Sequence, residues 1–83
     1  MTNPIQIPIT VGESNWTPLE LAVPASELHN FMYMGKAGEI ELYKHQLTRR
    51  YLNIARDSQS FYRYFDGHYI EITQAQALEY ALG

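Results

Sequence analysis

Three histidines, His29, His45 and His68, are the side chains of this 83-residue chain best suited to bind a metal or move a proton near neutral pH. No two of them have a metal-ligand spacing such as His-x3-His, and there is no cysteine to complete a tetrahedral site. Each reads as an ordinary surface or strand-edge histidine. No Gly-x-Ser-x-Gly elbow, phosphate loop or dinucleotide glycine pattern is present. No nucleophile stands beside a base that could activate it. The expectation is therefore a protein with no catalytic residue, no metal and no cofactor.

The cations offer a different chemistry. All six, Lys36, Lys44, Arg49, Arg50, Arg56 and Arg63, fall between positions 36 and 63 of a chain whose net charge is −3. Guanidinium groups beside aromatic rings suit an anion such as a nucleotide phosphate. Lys44, Arg50, Arg63 and His68, with Phe65 among them, are the candidate ligand-binding residues. Tyr43, Tyr51, Tyr64 and Tyr69, flanked by His45 and Arg49, are candidates for a contact surface, because tyrosine is enriched at interfaces.

These side chains need a sheet to position them. From Glu39 onward the hydrophobic period is two, which predicts strands at 39–45, 49–55, 60–65 and 68–72. Asp66-Gly67 predicts a two-residue hairpin of type I′. It opposes Phe65 to His68, Tyr64 to Tyr69 and Arg63 to Ile70. A turn over 56–59 opposes Ile54 to Phe61, Leu52 to Arg63 and Tyr51 to Tyr64. A three-residue loop at 46–48 opposes Tyr43 to Tyr51, Lys44 to Arg50 and Leu42 to Leu52. On that register the four tyrosines form one row on one face. Lys44, Arg50, Phe65 and His68 gather at one corner of the other, with Arg63 inside a mostly apolar row. An interior arginine requires a buried ion pair or a ligand.

The remaining elements follow from local signals. Ile5, Ile7, Ile9 and Val11 alternate with Gln6, Pro8 and Thr10, as in a half-buried strand. Pro4 and Pro8 remove donors along one lateral edge, which makes it an edge strand or an extended arm. Leu19, Leu21 and Val23 read as a second short strand, so 1–24 is an arm of edge strands. Leu28, Phe31 and Met32 at i, i+3, i+4, followed by Gly35, predict a short helix near 25–34. Thr73 with Gln76 predicts a capping box opening a C-terminal helix, with Ala75, Leu78 and Leu82 as its apolar stripe.

The chain is expected to be one α+β domain spanning 1–83: a four-stranded antiparallel meander at about 39–72 with a C-terminal helix, a short helix and an N-terminal arm. A chain this small has a thin core, and self-association into a homo-oligomer is a natural remedy. No leader or membrane-length apolar run is read, and cysteine is absent, so the cytoplasm is the expected compartment. The expected function is a non-catalytic binding module that contacts a protein or a small anionic ligand. Single-stranded nucleic acid is the alternative, disfavoured by net acidity. An enzyme with a site shared between subunits comes third.

Overall fold

The computed structural model describes residues 9–10 and 12–83. The strand expected from Ile5 onward lies mostly outside the described residues; the part within them is β1, Ile9–Thr10. The order continues with α1 (Thr17–Ala22), a 3-10 helix (Ala25–Asn30), β2 (Phe31–Ala37), β3 (Ile40–His45), β4 (Tyr51–Ala55), β5 (Phe61–Phe65), β6 (His68–Ile72) and α2 (Gln74–Leu82). The strands form one antiparallel sheet in chain order, β1 to β6. The fold is α+β, and the expected meander gains β2 and the short β1.

Two segments differ from the sequence expectation, each for a readable reason. Residues 17–22 are helix, not strand. Leu19 and Val23 are four apart, a spacing common to both periods, and both are buried while Leu21 is exposed. Pro18 suits the first helical turn, where no intrahelical N–H is needed. Further on, the expected 25–34 helix stops after one 3-10 stretch, and β2 begins at Phe31. Phe31 is buried and Met32 exposed, a strand alternation that also matched a helical triplet. Gly35 is no helix stop. It has φ +108 and adjoins a bulge, where Tyr33 faces Tyr43 and Gly35 faces Leu42 with Met34 between them.

The Asp66-Gly67 hairpin has the expected register, with Phe65 opposite His68 and Tyr64 opposite Tyr69. Both turn residues have positive φ, 53° and 82°, as a type I′ turn demands. Between β4 and β5, Ile54 opposes Phe61 as expected and Asn53 opposes Tyr62. The expected pairs Leu52–Arg63 and Tyr51–Tyr64 are not part of that ladder.

The β3–β4 register is shifted by one residue: Tyr43 faces Leu52, Lys44 faces Tyr51 and Leu42 faces Asn53. Arg49, at φ +66, adds a residue to the loop, and the His45 N–H donates to the Arg50 carbonyl. A one-residue slip turns every side chain of a strand to the other face. Here it carries Glu41, Tyr43 and His45 to the face opposite the one expected.

The face under the helices holds the main core: Leu19, Val23, Phe31, Tyr43, Leu52, Ile54 and Phe61, with Ala77 and Ala81 of α2. The capping box is present, Thr73 Oγ1 accepting from the Gln76 N–H and Gln76 Oε1 from the Thr73 N–H. The buried stripe of α2 is Ala77 and Ala81, with Leu78 and Leu82 partly buried and Ala75 exposed. Small residues let this short helix, unstable alone, lie close on the sheet. A second cluster, Ala37, Ile40 and Leu42, lies on the other face, covered by Met34, Tyr62 and Tyr69.

Candidate binding face

Among the described residues, no helix packs on that second cluster. Alternation along β3, β4, β5 and β6 brings Leu42, Lys44, Tyr51, Asn53, Tyr62, Tyr64 and Tyr69 to its face. All of these but Lys44 line a concavity of about 1390 Å³, whose walls also include Glu39, Arg49, Arg50, Arg63, His68 and Tyr80. The rings support one another and the cations: Tyr64 and Tyr69 meet at 5.0 Å and 63°. The Lys44 ammonium is 5.8 Å from the Tyr51 ring, and the Arg50 guanidinium 5.1 Å from the Tyr80 ring. Arg50 also donates from Nη1 to the Tyr80 carbonyl at 3.1 Å, tying the β3–β4 loop to the end of α2. Burial, then the neighbouring Tyr64, push the Tyr69 phenol above its ordinary value.

Three of the four tyrosines expected on one surface, Tyr51, Tyr64 and Tyr69, share this face, and Tyr62 joins them. Tyr43 does not. It is wholly buried on the helix side, its ring 5.8 Å from Trp16 and its hydroxyl donating to the Asn15 carbonyl. His45, expected at the contact surface, is 4% exposed and meets Phe31 edge-on at 4.9 Å. The register shift moved both. The expected basic corner is likewise divided. Lys44 lies on the tyrosine face, while Arg63, Phe65 and His68 alternate to the other side of the β5–β6 hairpin. Arg63 is exposed rather than interior, its guanidinium 5.4 Å from the Phe65 ring, because the hairpin runs on past the core.

Among the described residues, Arg56 is the one lysine or arginine with a carboxylate within 4.0 Å, reaching Glu39 at 3.4 Å and Glu41 at 4.0 Å. Lys36, Lys44, Arg49, Arg50 and Arg63 have none, and the three arginines of that group line the concavity. All three are exposed; Arg50 is held by the Tyr80 carbonyl and ring, and Arg63 lies over Phe65.

Two polar groups escaped sequence reasoning. Glu41 is completely buried; it accepts from the Tyr33 hydroxyl and, at 3.4 Å, from Asn15 Nδ2. Burial and that hydrogen bond push the Tyr33 phenol up to about 12. With the true register, an acid between Ile40 and Leu42 marks a core position. Asn53 is 2% exposed; its Nδ2 donates to the Tyr62 carbonyl at 3.3 Å, but its Oδ1 has no partner. A polar residue between Leu52 and Ile54 was its only signal. Among the described residues no three histidines or acids gather as a metal site, and no helix is long and apolar enough to cross a membrane.

Comparison of the chain with protein-family models, with curated proteins and with solved structures gave no match.

Proposed function

We propose that the protein is a non-catalytic binding module that receives an anionic partner on the face of its sheet that bears Tyr51, Tyr62, Tyr64 and Tyr69. The observation that carries this is the concavity of about 1390 Å³, walled by tyrosines and by three arginines without a carboxylate partner. A volume above 1000 Å³ exceeds the usual range for a small-molecule pocket, so a segment of a larger partner suits it better than a metabolite. Tyrosine gives large contact area at low entropic cost, and arginine gives charge-assisted hydrogen bonds to carboxylate or phosphate.

The test is amide-resolved NMR titration with a short polyglutamate peptide as an anionic probe. Shift changes at Arg49, Arg50, Tyr51, Arg63 and Tyr64 are the expected result. Changes confined to α1 and the 3-10 helix, or none, would refute it.

A second reading, single-stranded nucleic acid, is favoured by the shared face of Tyr51, Tyr62, Tyr64 and Tyr69, on which bases could stack. Against it stands the net acidity of the chain, since nucleic-acid readers are usually basic. An oligothymidylate titrated in the same way separates the two, since phosphate contacts make affinity fall steeply with salt.

A further inference from the structure

We infer that the gap between β4 and β5 is a strand-addition site for an extended acidic segment of a partner protein, which rests on the binding role proposed above. The β4–β5 ladder has two pairs, Asn53 with Tyr62 and Ile54 with Phe61. In the same register the next places belong to Leu52 with Arg63 and Tyr51 with Tyr64, and neither pair joins the ladder. Beyond Tyr62, β5 stays extended because β6 pairs with it along all five residues to the Asp66-Gly67 turn. The ladder ends there, and among the described residues the β4-facing edge of Arg63–Phe65 has no partner strand. Such an edge offers main-chain donors and acceptors to an incoming chain.

A second, independent observation sits where the ladder ends. Asn53 belongs to the last pair of the ladder and to the wall of the concavity, and its buried Oδ1 accepts no hydrogen bond. A buried amide oxygen left without a donor costs stability. A strand entering the gap brings backbone N–H groups to that place.

Charge selects the occupant. Arg49, Arg50 and Arg63 line the same concavity against a single acid, Glu39, which Arg56 holds at 3.4 Å, so acidic side chains on the incoming strand find an excess of cations. Tyr51, Tyr64 and Tyr80 supply exposed rings for the residues between them. A nucleic acid could use the charge and the rings but cannot extend a β-ladder. A second copy of this chain is a poorer match, since its one plainly alternating N-terminal run, residues 5–11, carries no acid.

The experiment compares three probes on the full chain by NMR and fluorescence anisotropy. The first is a peptide of alternating Glu and Val about eight residues long; the second is the same peptide N-methylated at alternate residues; the third is an oligothymidylate of similar length. The expected result is binding of the first, with new amide protection at Arg63–Phe65, and loss of about tenfold in affinity on N-methylation, which removes backbone donors but no charge. Arg63→Ala, at an exposed position, should also weaken the first probe, and Arg56→Ala should not. Equal binding of the two peptides would overturn strand addition while leaving an anion-binding face intact. Oligothymidylate binding without peptide binding would overturn it in favour of nucleic acid. No binding by any probe would remove both this site and the function proposed above.

Discussion

His45 and Glu27, 18 positions apart, meet at 3.2 Å between Nε2 and Oε1. The opposite ring nitrogen, Nδ1, accepts the backbone N–H groups of both Leu47 and Thr48 at 3.2 Å. Two donors at Nδ1 leave the proton on Nε2, where it points at the carboxylate. One ring thus organises the β3–β4 loop and holds it to the 3-10 helix. Thr48 carries the link onward, its hydroxyl donating to the Ala81 carbonyl at 2.6 Å. Replacing His45 with Ala strands two N–H donors and should cost about 1–3 kcal/mol, read from urea unfolding.

Glu27 should impose an acid limit. Hydrogen bonds from Asn30 first and His45 second hold its carboxyl below the usual 4.5. A depressed folded value means stability that is present above pH 4.5 and is lost as pH falls through the folded value. Glu27→Gln should flatten the fall of the urea midpoint below pH 4.5; an unchanged profile would contradict the assignment.

At the alkaline end the sign reverses. The Tyr33 phenol, pushed from 10.0 to about 12 by burial and by Glu41, favours the neutral form in the folded chain. Its contribution is complete below pH 10 and is lost as pH rises through about 12. Tyr33→Phe should make the stability curve shallower between those values.

Adjacent residues on β4 provide a test of register. Leu52 is buried in the helix-side core and Tyr51 is exposed on the other face. Leu52→Ala should cost about 2–5 kcal/mol, whereas Tyr51→Ala should cost well under half as much, with its main effect on binding. The register expected from a three-residue loop at 46–48 puts these faces the other way round relative to β3.

Gly67 isolates a backbone effect. A Cβ there would meet no atom within 4 Å, so Gly67→Ala should cost only the strain of φ +82, about 1–2 kcal/mol. A larger loss in calorimetry would mean that the hairpin depends on more than its turn.

The pattern of what was legible follows from how many local signals agreed. The β5–β6 hairpin was readable to the residue, because Asp66-Gly67 specifies both the turn type and the loop length. The capping box of α2 was equally explicit. The β3–β4 register was not, because Arg49 adopts a left-handed conformation that residue type does not announce. That single residue decided the positions of Tyr43 and His45, two of the expected contact residues, and of the buried Glu41. Leu19 and Val23 failed as a strand signal because an interval of four satisfies both periodicities. The early end of the β4–β5 ladder had no sequence signature, since it reflects where the core ends rather than any residue's preference.

The second cluster, Ala37, Ile40 and Leu42, has phenol rings for a roof where the main core has helices. Tyr62 and Tyr69 therefore serve two masters: they shelter aliphatic carbon from water and they shape the walls of the cleft. Selection for a tighter grip at these positions draws on the same side chains that keep Leu42 dry, so affinity and folding stability are expected to trade against each other there, and to vary independently at Arg49 and Arg63, which shelter nothing.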